Sequence, residues 1–136
     1  MCKAIVIDDN PMEHMIIQRM FESYDVFPDA VHSTDGAMVI SFMEEYYNET
    51  DILPDLIFLD LNMPYTGWDF LVHLENLLPS LHKQPDVFVV TSSIDINDKL
   101  KAAQYACVKG YISKPLKRET LTELAATYLP EKRIAS

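Results

Sequence analysis

The fold of this chain is decided by the stretch DLIFLDLNMP, which runs from Asp55 to Pro64. Four apolar residues in a row, Leu56 to Leu59, stand between two acids. The run lacks the alternation of a half-exposed strand and is too short for a helix, so it predicts a short strand buried on both faces. Asp60 follows where this strand ends, which is where open α/β sheets bind their ligands. The alternative is a solvated loop carboxylate.

Four other short apolar runs have the same character and predict four more strands, at residues 4–7, 30–32, 87–90 and 110–112. His32, on the second of these five strands, is expected to be a structural or solvated histidine rather than a ligand. Each strand spacing leaves room for a helical crossover, which parallel neighbours require. Right-handed crossovers then predict a doubly wound α/β sheet with helices on both faces.

Five stretches between and after the strands carry apolar residues at helical spacing. Their predicted buried faces are Ile17, Met20, Phe21 and Tyr24; Val39, Phe42, Met43 and Tyr46; Phe70, Leu74, Leu77 and Leu78; Ile96, Leu100, Ala103 and Cys107; Leu121, Leu124, Ala125 and Tyr128. Good capping residues precede three of the helices: Asn10 with Pro11, Ser33 with Thr34, and Asp95. Residues 65–67 predict a turn before the third helix, and Pro79 is expected to end it.

Composition restricts the function classes. The chain of 136 residues has the size of a single domain, expected to span residues 1–136, and its formal net charge is −10. A surface with this much negative charge repels nucleic acid and anionic lipid. We therefore expect protein partners or a bound cation. Cys2 and Cys107 have no metal-like spacing and are expected to be structural thiols of a reducing cytoplasm. No apolar stretch approaches the roughly 20 residues of a membrane span.

The polar residues that follow the predicted strands belong at one edge of the sheet. Strand one delivers Asp8 and Asp9, strand three Asp60, strand four Thr91 and strand five Lys114. Adjacent acids can turn toward one site only where a strand stops, because within a strand they point to opposite faces. Three carboxylates together repel one another, and a divalent cation with oxygen ligands, usually Mg²⁺, is the simplest remedy.

The same group of residues suits phosphoryl transfer. Asp60 can attack phosphorus as a nucleophile, Thr91 can donate a hydrogen bond to a phosphoryl oxygen, and Lys114 with the cation can stabilise the transferring charge. A lone threonine or Lys-Pro pair at a strand end is more often structural. The combination on the right strands in the right order is what favours this chemistry.

At these motifs the chain resembles the response-regulator receiver domains of two-component signalling, along nearly its full length. The matching segments are Asp8-Asp9; DLNMPYTG from Asp60 to Gly67; Val90-Thr91-Ser92; and GYISKP from Gly110 to Pro115. Segments 48–54 and 79–85 are somewhat longer than the family needs, which leaves only the ends of the second and third helices open.

The resemblance implies a flavodoxin-like sheet of order 2-1-3-4-5 and phosphorylation of Asp60 by a histidine kinase. It implies Mg²⁺ held by Asp9, Asp60 and the backbone carbonyl of Asn62, with Asp8 acting through water. It further implies a cis Lys114–Pro115 bond and Thr91 and Tyr111 as a switch pair. We therefore expect output through the surface formed by the fourth helix, fifth strand and fifth helix.

A cytoplasmic, stand-alone phosphoacceptor rather than an enzyme is therefore expected. Its expected partners are a sensor histidine kinase or phosphotransfer protein and a downstream protein, without direct binding to nucleic acid or membrane. Three alternatives remain. An aspartyl phosphatase would need Asp-x-Asp on one strand, and a flavin binder would need a phosphate-cradling loop where Asp8, Asp9 and Asn10 stand. A receiver-like interaction module that takes no phosphate usually lacks one of the acids or the lysine.

Overall fold

Parallel strands alternate with α-helices along the chain in the computed structural model, which describes residues 2–61, 67–93 and 95–128. Within these residues the strands are β1 (Ala4–Ile7), β2 (Val31–Ser33), β3 (Leu56–Leu59), β4 (Asp86–Thr91) and β5 (Val108–Ser113). The helices are α1 (Pro11–Ser23), α2 (Gly36–Glu45), α3 (Gly67–Leu77), α4 (Ile96–Ala103) and α5 (Arg118–Tyr128), with a 3₁₀ turn at Leu78–Ser80.

The strands form one parallel sheet in the order β2-β1-β3-β4-β5. This confirms the flavodoxin-like order that the resemblance implied. Ile7 pairs with Leu59, so the ends of β1 and β3 lie level with each other. The central strand β3 is at most 2% exposed at each of its residues, as its unbroken apolar sequence predicts.

Side chains of the sheet alternate between two apolar layers. Ile57 and Leu59 of β3 point into a core shared with α2, α3 and α4, whereas Leu56 and Phe58 point into a core shared with α1 and α5. The period of two along a buried strand is the cause, because both faces must be covered. The sequence therefore places helices on both faces, as predicted.

Helix starts follow the predicted capping chemistry except at α2. The side chains of Asn10 and Asp95 accept hydrogen bonds from Met12 and Asn97. The prediction that Ser33 and Thr34 cap α2 is wrong. Asp35 is the cap, because α2 begins one residue later and Asp35 Oδ1 accepts from the Ala37 N–H at 2.9 Å.

The predicted buried face of α4 is also wrong. Ile96 and Leu100 are 61% and 58% exposed, and Ala102 is the buried residue of the helix. Ala103 is exposed as well, and Cys107 is buried but lies beyond the end of α4. The helix packs on the edge strand β5, so only a narrow side of it is covered, and the apolar stripe at helical spacing faces outward.

Other boundaries shift slightly. β2 begins at Val31 rather than at residue 30, and β4 and β5 extend beyond the predicted runs, with Thr91 and Ser113 still in the strands. Gly67 opens α3, whereas Tyr65 and Thr66 of the predicted turn lie outside the described residues. α3 ends at Leu77, before Pro79, as predicted. Among the described residues, no helix is long and apolar enough to cross a membrane.

Shortening one leucine side chain in β3 and one in α4 tests the described burial of β3 and exposure of the α4 stripe. Leu59→Ala is expected to lower the free energy of unfolding by about 2–5 kcal/mol, because Leu59 is completely buried. Leu100→Ala, the matched control on α4, is expected to change it by less than about 0.5 kcal/mol. Urea unfolding followed by circular dichroism measures both, and equal losses would contradict the described burial of the two leucines.

Candidate functional site

The polar ends of the strands meet at one edge of the sheet. Asp8 follows β1 and Asp60 follows β3, which are hydrogen-bonded neighbours, and the Asp60 N–H donates to Ile7 O at 3.0 Å. Thr91 ends β4, and its carbonyl accepts from the Lys114 N–H at 2.8 Å. The parallel topology thus gathers residues that are far apart in sequence.

Three carboxylates crowd this edge. Asp8, Asp9 and Asp60 each offer an oxygen, and these oxygens all lie within 4.8 Å of one another. Asp8 is 2% exposed and Asp60 6% exposed, whereas Asp9 is exposed. Carboxylate oxygens in such a group are the donors that hard divalent cations prefer. The three acids therefore fit a cation of the Mg²⁺ class.

Lys114 places its ammonium among these acids. Lys114 Nζ lies 3.3 Å from Asp8 Oδ2, 3.5 Å from Asp60 Oδ2 and 3.7 Å from Glu13 Oε2. The Lys114–Pro115 peptide is cis, as the resemblance implied. Burial by itself lowers the pKa of Lys114, but Asp60, Asp8 and Glu13 more than reverse this effect and leave the pKa raised. The lysine is thus held as a cation.

The charges of the site do not balance without a further cation. Asp8, Asp9, Asp60 and Glu13 contribute four formal negative charges and Lys114 one positive charge, which leaves three negative charges. A divalent cation would leave one. Such a balance also suits a transferring phosphoryl group, whose charge needs cationic neighbours.

Gly67 permits the close approach of α3 to the end of β3. A Cβ atom at position 67 would lie 2.8 Å from Leu61 Cα and 3.1 Å from Asp60 O. Both neighbours are backbone atoms, so they cannot move aside as a side chain would. Glycine is therefore required for the helix to begin directly behind the phosphoacceptor candidate Asp60.

Thr91 and Tyr111 stand on neighbouring strands next to this edge. Thr91 is completely buried, and its Oγ1 accepts from the Ser93 N–H at 3.1 Å. Tyr111 pairs in register with Val89, and its hydroxyl is buried without a hydrogen bond of ordinary geometry to any described residue. Burial raises the pKa of Tyr111 and Asp98 adds to the rise, while nearby Ser93 opposes it.

Sequence reasoning missed Glu13 and His14 and named one residue that lies outside the described structure. Glu13 approaches Lys114, and His14 Nε2 lies 2.7 Å from the Asp8 carbonyl oxygen. Both follow the Asn10 cap by one helical turn, and a helix starting at Pro11 returns them to this edge; that spacing could have revealed them. Asn62, the other predicted metal ligand, is not among the described residues.

The raised pKa of Lys114 has a consequence for stability. In EDTA at pH 7, Lys114→Met is expected to unfold at a lower urea concentration than the wild type, because the neighbouring acids lose the positive charge of the Lys114 ammonium. The contribution of the ammonium is complete below its ordinary pKa of 10.5 and is lost as pH rises through the higher pKa of the folded protein. The gap between the two proteins should therefore stay constant up to about pH 10 and narrow above it.

Urea midpoints between pH 7 and pH 11 measure this gap. Lys117→Met, at an exposed lysine of the same segment, is the matched control and is expected to show no such gap. A gap for Lys114→Met that widens above pH 10 would contradict the conclusion that the acids raise the pKa of Lys114 in the folded protein.

The sequence and the fold agree with known proteins. Residues 4–126 match the family model of the response regulator receiver domain. The chain is 30% identical over 129 residues to a chemotaxis protein CheY from Treponema pallidum, a match that covers 93% of this chain and 82% of that protein.

Solved structures give the same result. A two-component response regulator from Cytophaga hutchinsonii superposes with a TM-score of 0.80 at 25% identity, covering 94% of this chain and 96% of that one. The phosphorylated cyanobacterial phytochrome response regulator RcpA superposes with a TM-score of 0.65 at 25% identity, covering 91% and 88%. With a family match over most of its length, this chain belongs to the response regulator receiver domains, the signalling domains of two-component and chemotaxis systems.

Proposed function

We propose that Asp60 accepts a phosphoryl group from a sensor histidine kinase or a phosphotransfer protein, with Mg²⁺ as cofactor. The observation that carries this proposal is the position of Lys114, whose ammonium approaches both Asp60 and Asp8 beside a three-carboxylate cluster. Asp60, which follows the central strand β3, is the proposed nucleophile. Asp8 and Asp9 are adjacent in sequence, and we propose that both help to bind the cation.

The proposed transfer forms one bond and breaks one. A carboxylate oxygen of Asp60 attacks phosphorus, the bond from phosphorus to the donor imidazole nitrogen breaks, and an aspartyl phosphate results. Lys114 pairs with the phosphoryl oxygens, and Thr91 offers its hydroxyl to one of them. Mg²⁺, held by Asp9, Asp60 and the backbone carbonyl of Asn62, with Asp8 acting through water, would neutralise charge on the transferring group. The domain assists its own phosphorylation and dephosphorylation and is not an enzyme acting on a separate substrate.

The donor protein is proposed to approach over α1. Met12, Met15 and Ile16 are exposed apolar residues of that helix, and they stand beside Glu13, which approaches Lys114. A groove of about 370 Å³ runs between α1 and the segment around Pro115, next to the site. Exposed apolar surface rimmed by polar groups is typical of protein interaction surfaces.

The downstream partner is proposed to bind the surface formed by α4, β5 and α5. Ile96 and Leu100 expose an apolar stripe there. Lys101 Nζ lies 4.2 Å from the centre of the Trp68 ring, which joins α4 to the first turn of α3 behind Asp60. This contact and the close approach of Gly67 to the Asp60 backbone together offer a route of packed residues between the site and this surface, as a coupled switch requires.

We further propose that the protein works in the cytoplasm and does not bind membranes. The net charge of −10 opposes direct binding to nucleic acid. Likeness to a chemotaxis CheY protein and to a regulator whose structure is of the phosphorylated form supports a phosphoacceptor over an interaction module that takes no phosphate. Such a module usually lacks one of the acids or the lysine, and all of them are present here.

Phosphorylation is tested with acetyl phosphate. The wild type is expected to gain about 80 Da in intact mass with Mg²⁺ and none with EDTA, because the acids repel the phosphoryl group without a cation. Asp60→Asn should gain nothing, since it lacks the nucleophile. Asp69→Asn, at an exposed acid of α3, is the control and should behave as the wild type. Unchanged uptake by Asp60→Asn would refute the nucleophile assignment.

The proposed switch involves Thr91 and Tyr111. A phosphoryl group on Asp60 carries up to about two negative charges in place of the single charge of the carboxylate, enough to bias a two-state element by a few kcal/mol. We propose that Tyr111 turns from an exposed to a buried position when a phosphoryl oxygen draws Thr91 inward; the structure describes the buried position of its hydroxyl. A partner that binds the α4–β5–α5 surface should then prefer the phosphorylated form by roughly 5- to 150-fold.

Backbone amide NMR spectra with and without beryllofluoride, a phosphoryl mimic, measure this switch. Shifts are expected at Tyr111 and along α4 in the wild type, and smaller shifts along α4 in Thr91→Ala, because the hydroxyl linking the two is gone. Shifts confined to the neighbours of Asp60 would show phosphoryl binding without a switch at that surface.

A further inference from the structure

A histidine near the start of α1 forms a hydrogen bond with the backbone of Asp8, the first of the two adjacent acids Asp8 and Asp9. His14 Nε2 lies 2.7 Å from the carbonyl oxygen of Asp8. A carbonyl oxygen only accepts, so Nε2 carries the proton and donates it. Both residues sit at a partly or fully buried place, where such a bond is protected from water.

The bonded carbonyl belongs to the peptide that joins Asp8 to Asp9. Because a peptide unit is planar, the position of this oxygen also sets the direction in which Asp9 leaves Asp8. The preceding peptide is fixed as well, since the Asp8 N–H donates to Ser33 O at 3.1 Å. With both peptides held, the Cα–Cβ direction of Asp8 and the start of Asp9 are determined together.

A second histidine selects the tautomer of the first. His14 Nδ1 lies 2.7 Å from His32 Nδ1. With its proton on Nε2, a neutral His14 presents a bare Nδ1, so His32 is the donor in this pair. His32 Nε2 then accepts, so we assign the Gln18 amide with its NH₂ group toward His32, at the position 2.8 Å away where Oε1 stands; the amide oxygen and nitrogen can exchange places without moving other atoms. The chain of donors thus runs from Gln18 through both histidines to Asp8.

We propose that His14 is a positioning residue for the divalent cation: its Nε2–H fixes the Asp8–Asp9 peptide, and His32 keeps His14 in the tautomer that donates. This inference rests on the proposed function, because it takes Asp8 and Asp9 to serve the cation. Groups that orient metal-binding residues in this way influence metal affinity although they never touch the ion.

The competing explanation is packing alone. The two imidazole rings stand edge to face, with centroids 4.8 Å apart and planes at 87°, and they join α1 to the edge strand β2. A packing role depends on the volume of the side chain, whereas a positioning role depends on a donor at the Nε2 place. Variants that separate volume from the donor therefore decide between the two roles.

Titration calorimetry of the full chain with MgCl₂ makes this test. His14→Gln carries an amide N–H near the place of Nε2 and is expected to bind Mg²⁺ within about twofold of the wild type. His14→Leu has similar volume and no donor, and its affinity is expected to fall about three- to tenfold, the loss typical of one hydrogen bond. His73→Leu, at an exposed histidine of α3, is the matched control and should leave the affinity unchanged.

His32 variants test the second link. His32→Asn keeps a donor near the place of Nδ1 and should retain most of the affinity, whereas His32→Leu should lose part of it. This pair also carries the test if His14→Leu does not fold, which thermal melts of each variant reveal. Acetyl phosphate uptake supplies a further readout: saturating Mg²⁺ should restore the rate of His14→Leu to near that of the wild type.

Equal affinities of His14→Gln and His14→Leu, whether both normal or both reduced, would overturn the inference. So would a reduced rate of His14→Leu at saturating Mg²⁺ with an unchanged affinity, because positioning the cation would then not be its role. Asp9→Ala separates this failure from that of the proposed function. If the wild type and Asp9→Ala bind Mg²⁺ alike, the cation site itself is wrong and not the role of His14.

Discussion

The approach of the Lys114 ammonium to Asp8 and Asp60 is the interaction on which the site depends. β1 and β3 are adjacent parallel strands, so the acids that follow them are forced into proximity. Like charges about 4 Å apart repel by roughly 1–4 kcal/mol near a protein surface. One lysine relieves this repulsion only in part, because the neighbouring acids outnumber it. The remaining negative charge suits a hard divalent cation, which is the ion that we propose this edge to bind.

The rest of the fold keeps these charges in place. Buried side chains on both faces of β3 fix the strand from which Asp60 projects, and Gly67 lets α3 begin against its end. α1 lies on one face of the sheet and α4 on the other, and both expose apolar residues. A donor and a downstream partner can therefore use separate surfaces, which would let one charged edge connect an input to an output.

Sequence reasoning failed where burial depends on which neighbours an element has. Ile96 and Leu100 have the spacing of a buried face, yet α4 packs on the edge strand β5 through another side of the helix and turns this stripe outward. Spacing specifies that a stripe exists but not whether anything covers it. Ser33 and Thr34 have side chains that suit a helix cap. The Ser33 hydroxyl instead accepts from the N–H of Asp35, the residue just before α2, at 3.1 Å. Several nearby side chains can cap a helix, and the path of the backbone determines which one does.

The sequence by itself determined the strands β1 and β3 to the residue, the doubly wound class and the group of Asp8, Asp9, Asp60, Thr91 and Lys114. Continuous apolar runs that end in acids are local signals, and the parallel topology then places their ends together without further information. Only the tertiary structure decided that Glu13 joins Lys114 and that His14 and His32 support the Asp8 backbone. These contacts join α1 to β1, β2 and the end of β5, elements up to about a hundred residues apart in the chain. Their distances and directions depend on packing across the whole sheet, which no local pattern encodes.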